Sequence, residues 1–197
     1  MNVNGATILS SYIDADSQRD LLANLREVAE HAPFRQYETP FGWKMSVRMT
    51  AAGEFGWISD RRGYRYAPTQ PDGQLWPSIP ESLLKLWNEI ANCPRNPQCC
   101  LVNFYGENAK MGLHQDRDEA DFSCPVLSIS LGDDALFRVG GVERGAATQS
   151  IWLKSGDVVL LSGKSRLAYH GIDRIRFGSS SLLPRHGRVN ITLRVVV

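Results

Sequence analysis

The chain has 197 residues, of which 43% are hydrophobic and 22% charged, a composition that suits one globular domain with a core large enough to be stable unaided. Its formal net charge of +1 excludes binding of polyanions by bulk charge, so affinity for nucleic acid needs a focused basic patch. Four cysteines without paired C-x-x-C spacing, Cys93, Cys99, Cys100 and Cys124, argue against a cysteine zinc site or a disulfide framework and read as reduced packing residues.

The opening stretch, MNVNGATILSSYIDADS, has no basic region followed by a long apolar run, and no stretch is long enough to cross a bilayer, so a cytoplasmic protein without membrane contact is expected, most simply a monomer. From about Ser17 to Ala32, Leu21, Leu22, Leu25, Val28 and Ala29 fall on one helical stripe, with Ser17 and Asp20 as a capping pair and Pro33 as the stop. A second helix is predicted from about Pro80 to Ala91, with Leu83, Leu84, Trp87 and Ile90 on its apolar stripe and Ser78 with Glu81 in a capping-box pattern. The segment between them is aromatic-rich and reads as irregular.

After Pro97 the pattern changes to short apolar or alternating runs broken by glycine: CCLVNFYG, PVLSISLG, LFRVGG, SIWLKSGDVVLLSG, RLAYHGI and RVNITLRVVV. Such spacing predicts antiparallel strands in a sandwich or barrel, with a double-sheet jelly roll the leading candidate. The chain therefore reads as one mainly β domain with flanking helices, a mixed N-terminal portion (residues 1–97) preceding a β-rich core (residues 98–197).

The stretch GLHQDRDEADF places His114 and Asp116 two residues apart, and on a strand that spacing aims both side chains at one spot. Of the four histidines, His31 lies beside a helix end and His186 in a basic loop, whereas His170 closes a strand-like run just before Gly171 and is the best third ligand. Two histidines and one carboxylate suit octahedral Fe(II), whose remaining positions can take a bidentate co-substrate and dioxygen. Zinc would more often recruit cysteine or a third histidine. An H-x-D pair alone is more often a surface or strand-end pair than a ligand set, and the C-terminal strand shifts the balance. In RVNITLRVVV, Arg188, Asn190, Thr192 and Arg194 alternate with apolar residues, so both arginines share a face. Arginines on the inner face of a buried strand are costly unless paired, and a dicarboxylate or keto acid would satisfy them bidentately.

NFYGENAKMGLHQDRDEADFSCPVLSISLG, SGDVVLLSGKSRLAYHGI and RVNITLR, together with MSVRMTAAGEFGWISDRRGYRYAP upstream, resemble the AlkB family of iron- and 2-oxoglutarate-dependent nucleic-acid dealkylases, in the family's order and over roughly Met45 to Arg194. The resemblance implies a double-stranded β-helix (jelly-roll) core with an N-terminal nucleotide-recognition lid. It implies that His114, Asp116 and His170 hold Fe(II), that Arg188 pairs with the distal carboxylate of 2-oxoglutarate, and that Asn103, Tyr105, Asn190 and Arg194 complete that pocket. Phe104 departs from the family's commoner arginine in N-R-Y, but by alternation it points away from the two pocket residues that flank it.

The implied reaction consumes O2 and 2-oxoglutarate, releases succinate and CO2, and hydroxylates an N-alkyl carbon, whose collapse frees formaldehyde from N1-methyladenine or N3-methylcytosine. The implied partner is alkylated single-stranded DNA, with duplex DNA or RNA left open. By resemblance the flipped base lies between Trp57 and the ring of His114, with Tyr64 at the nucleotide backbone, Met49 lining the pocket and Arg144 over the lesion. On an extended strand Asp118 would share the metal ligands' face and accept from the base's exocyclic nitrogen. Arg61, Arg62 and Arg65 supply the local positive charge. An RNA demethylase, and more remotely a non-catalytic cupin-like metal-binding module, are the alternative readings.

Overall fold

The apolar runs after residue 97 become strands, except that of RLAYHGI only His170, Gly171 and Ile172 join one, and the segment between the helices, expected to be irregular, adds three more. The computed structural model describes residues 1–197. In chain order the elements are β1 (Asn2–Val3), β2 (Ala6–Leu9), α1 (Ala15–His31), β3 (Arg48–Gly53), β4 (Gly56–Asp60), β5 (Gly63–Ala67), α2 (Glu81–Ile90), β6 (Cys99–Tyr105), β7 (Met111–His114), β8 (Val126–Gly132), β9 (Asp134–Val139), β10 (Gln149–Leu153), β11 (Val158–Leu161), β12 (His170–Arg176) and β13 (Arg188–Arg194).

Seven strands form an antiparallel sheet in the order β1-β2-β11-β8-β13-β6-β3, four form a second in the order β10-β9-β12-β7, and β4 with β5 makes a separate hairpin. The two larger sheets face each other as the layers of a jelly roll, with Leu101, Val126, Phe137, Leu153, Val159 and Ile172 packed between them. The N-terminal portion is more than a lid, since β1, β2 and β3 all belong to the seven-stranded sheet.

Both helices cover the outer face of that sheet, where Leu21, Leu25, Val28, Leu83 and Trp87 join Val102, Ile129, Ile191 and Leu193 in a second apolar cluster. The central strand β13 is therefore buried on both sides. Val189, Ile191 and Leu193 face the helices, and period two sends Arg188, Asn190, Thr192 and Arg194 into the space between the sheets.

Both expected caps need correction. α1 starts earlier because Asp14 is the cap, its carboxylate accepting from the Ser17 backbone N–H at 2.8 Å. Ser17 is thus the capped residue and not the cap. At α2 the cap position falls on Pro80, which has no side-chain bond to offer, and Ser78 lies too far upstream to form the box with Glu81.

Candidate active site

His114 ends β7, His170 opens β12, and the strand register sets them directly opposite each other. The expectation that His170 closes a strand is thereby reversed, because RLAY precedes β12 as turn and loop. Gly171 permits the pairing: a Cβ there would lie 2.5 Å from the Met111 carbonyl oxygen, so any larger residue would push β7 away. The imidazole centroids stand 4.6 Å apart. Asp116, just past β7, places Oδ1 3.7 Å from His114 Nε2 and Oδ2 3.5 Å from His170 Nε2. One ligand atom from each of the three lies within 4.8 Å of the others, a spacing that one ion can span.

The electronic state of the trio follows from its neighbours. Each Nδ1 sits 2.9 Å from a backbone carbonyl, of Gly112 for His114 and of Ala168 for His170. A carbonyl only accepts, so Nδ1 carries the proton and Nε2 offers its lone pair to the centre. Burial, reinforced by His170, holds His114 below the ordinary histidine range and favours its neutral form. Burial alone would raise Asp116, but Arg194 at 2.8 Å and the two histidines reverse that effect and hold the carboxyl well below the usual carboxylate range. Asp116 Oδ2 is buried without a hydrogen-bond partner. An ionised oxygen facing two imidazole lone pairs is costly unless a cation is shared among them, so these residues fit a divalent metal.

Arg188 is 1% exposed, lies 5.2 Å from the Tyr105 ring centroid, and donates only to Ser130 Oγ at 3.1 Å. Its Nε and Nη1 have no partner, no carboxylate forms an ion pair with it, and burial works against its cation. Arg194 differs. It bonds Asp116, donates through Nη1 to the Tyr66 hydroxyl at 3.0 Å, and lies 3.6 Å from Glu119 Oε1. Contrary to expectation, only Arg188 is left needing an external acid, because Arg194 already has Asp116. Asn103 and Asn190 touch at 3.4 Å beside Arg188's strand, with Asn103 Oδ1 unpartnered. Phe104 turns outward as alternation requires, edge-on to Phe34 at 6.3 Å.

These groups line one cavity of about 580 Å³, in the range of small-molecule sites. Met49, Trp57, Tyr64 and Asp118 line it too. Trp57 stacks on Tyr64 (centroids 5.4 Å apart, planes 17° apart), and its Nε1 donates to Asp118 Oδ2 at 2.9 Å. Asp118 is not on a strand, contrary to expectation, because β7 stops at His114, yet it reaches the same cavity. Arg144 is exposed in the turn after β9 and lies outside the cavity lining. In the basic cluster, Asp60 pairs with Arg62 and Arg65 at 3.2 and 2.7 Å, so its positive charge is partly offset.

One buried polar network beside the ligand trio has no signal in the sequence. Glu119, 4% exposed, accepts from the Tyr66 hydroxyl at 2.6 Å and from Arg166 at 3.2 Å, and Arg166 also donates to the Asp116 carbonyl at 2.7 Å. Tyr66 lies on the β5 hairpin, so a chain of bonds runs from the hairpin through Arg194 and Glu119 to both ends of Asp116.

The family model for the 2OG-Fe(II) oxygenase superfamily matches residues 5–194. An alpha-ketoglutarate-dependent dioxygenase AlkB homolog from Caulobacter vibrioides is 53% identical over 193 residues, covering 98% of this chain and 88% of the relative. The alpha-ketoglutarate-dependent dioxygenase AlkB of Escherichia coli is 40% identical over 195 residues, covering 96% of this chain and 89% of the relative. Among solved structures, OsALKBH1 superposes with a TM-score of 0.83 at 33% identity, covering 99% of this chain and all of that one.

Proposed function

The chain belongs to the AlkB family of Fe(II)- and 2-oxoglutarate-dependent dioxygenases, and from that premise we propose that it repairs alkylated DNA, demethylating N1-methyladenine and N3-methylcytosine in single strands. One observation carries the reading: a single cavity holds the ligand trio and the unpartnered fork of Arg188, together with the aromatic and acidic residues that suit a cationic base. Iron, 2-oxoglutarate and oxygen, when bound, supply oxidative decarboxylation to succinate and CO2 coupled to hydroxylation of the N-methyl carbon.

The protein's part is positioning. Arg188 Nε and Nη1 take the distal carboxylate of 2-oxoglutarate bidentately, while Asn103, Tyr105 and Asn190 border the same pocket. Arg194 fixes Asp116 through its ion pair and so sets the ligand geometry at the centre. Trp57 offers an electron-rich indole face to a methylated base, its plane set by Asp118 and backed by Tyr64. Met49 closes the cavity wall and helps exclude water. Asp118, in the same cavity lining, offers its carboxylate as acceptor to the exocyclic amine of adenine or cytosine. A single strand is favoured because a flipped base then leaves no pairing partner, which in duplex costs a few kcal/mol.

The test is incubation of the iron-loaded protein, oxygen and 2-oxoglutarate with DNA and RNA oligonucleotides carrying one methylated base, read by mass. Loss of one methyl group with one formaldehyde and one succinate is expected. Oligonucleotides unaltered in mass, beside slow uncoupled succinate formation, would move the substrate to another class.

A further inference from the structure

Two of the four thiols meet outside the cavity. Cys93 Sγ, in the turn after α2, stands 3.4 Å from Cys124 Sγ, just before β8. The other two, Cys99 and Cys100, are fully buried neighbours in β6 that point to opposite faces of its sheet, one into each apolar cluster. Burial pushes Cys99 up to about 12 and Cys100 well above the ordinary thiol range, so neither is a nucleophile at neutral pH. We propose that Cys93 and Cys124 are a reversible oxidation site that closes to a disulfide under peroxide.

The geometry asks little of the backbone, since sulfur atoms at 3.4 Å need to close only to the roughly 2.05 Å of a disulfide. Neither residue is in a helix or strand, so both side chains can turn without breaking a ladder. The ion pair of Arg95 with Asp121, at 3.5 Å, already draws together the same two segments. Cys93 is half-buried and open to a small oxidant, whereas Cys124 is 5% exposed and its thiol is raised by burial and by Cys93, so it acts only as the second thiol, on a sulfur already 3.4 Å away. That division gives the two sulfurs different roles.

Cys93 attacks one oxygen of hydrogen peroxide; an S–O bond forms, the O–O bond breaks, and the departing hydroxide takes the thiol proton to leave as water. The sulfur, now a sulfenic acid, has lost two electrons to the peroxide. Cys124 then attacks that sulfur, the S–S bond forms, and the sulfenic hydroxyl leaves with the Cys124 proton as a second water. A dithiol returns both electrons and restores the pair. The bond would tie together the two ends of the stretch that carries Asn103, Tyr105, His114, Asp116 and Asp118, and Cys124 already holds Arg166 through its carbonyl at 2.8 Å.

The test uses the reduced full-length protein loaded with Mn(II) in place of iron, so that no iron–peroxide chemistry competes. Brief treatment with hydrogen peroxide is followed by alkylation of remaining thiols in denaturant, then intact-mass and peptide analysis. Expected are two alkylatable thiols, a Cys93–Cys124 linked peptide, and return to four thiols with dithiothreitol. Cys93→Ser should block the link, and Cys124→Ser should leave a dimedone-reactive sulfenic acid on Cys93. Four alkylatable thiols after peroxide, or a link joining any other pair, would overturn the proposal.

Discussion

Replacing Arg188 by methionine should uncouple stability from co-substrate binding. The guanidinium is 1% exposed, has one hydrogen bond, to Ser130, and faces no carboxylate, so its charge is desolvated without compensation until an acid arrives. Methionine fills a similar volume without the charge. Exchanges of buried ionic groups for apolar ones have been neutral or stabilising by about 1–4 kcal/mol, against about 1 kcal/mol for the bond to Ser130, so the apo variant should unfold at or above the wild-type temperature. Binding moves the other way. Two charged hydrogen bonds at about 1.5–3 kcal/mol each amount to roughly two to four orders of magnitude in 2-oxoglutarate affinity, whereas lysine, which keeps the charge but loses the fork, should cost roughly ten- to a hundredfold. The assay is thermal unfolding of the anaerobic Fe(II) protein with and without 2-oxoglutarate. At a hundred times the Kd the wild type gains about 2.7 kcal/mol, which for a chain of this length raises Tm by roughly 5–11 °C, and the methionine variant should gain almost nothing at the same concentration. A methionine variant that melts well below the wild type would make Arg188 a structural residue. One that keeps the full shift would place the distal carboxylate elsewhere.

Alanine at His114, Asp116 or His170 should abolish turnover while circular dichroism stays near wild type, and alanine at His31 or His186 should leave iron affinity unchanged by titration. Trp57→Ala removes a stacking surface worth about 1–3 kcal/mol per base, so oligonucleotide affinity should fall roughly five- to 150-fold while uncoupled succinate formation persists; loss of both together would make the tryptophan structural. Tyr66→Phe strips one partner from each of Glu119 and Arg194, and should weaken Mn(II) binding about tenfold by loosening Asp116, the low end of what partners of metal ligands contribute. An unchanged metal affinity would show that the hairpin and the metal centre are independent.

What the sequence reveals here is set by how far an interaction reaches along the chain. Alternation in RVNITLR is a local property, and it places Arg188, Asn190 and Arg194 on one face without any tertiary information. Which medium that face meets is not local. The strand is apolar on its other side because α1 and α2 cover it, and only that covering obliges the arginines to point inward. The β4–β5 hairpin between the helices is masked for another reason: its glycines and aromatics break alternation, and Trp76 packs on it from outside, lying so close over Gly56 that a Cβ there would be 2.2 Å from the indole.

The acidic run after His114 shows the limit most sharply. In DRDEAD every residue has the composition of a solvated loop, yet Asp116 and Glu119 are buried while Asp121 is half-exposed. The residues that make burial of Glu119 tolerable, Tyr66 and Arg166, lie 53 and 47 positions away and carry no periodic signal of their own. A buried charge is stable only with its partners in place, so such a network can be recognised once both sides are folded together but not from either side alone. The ligand trio escapes this limit only in part. His114 and Asp116 are close in the chain, but His170 becomes their partner through the pairing of β12 with β7, and the tight approach that pairing needs is written in Gly171.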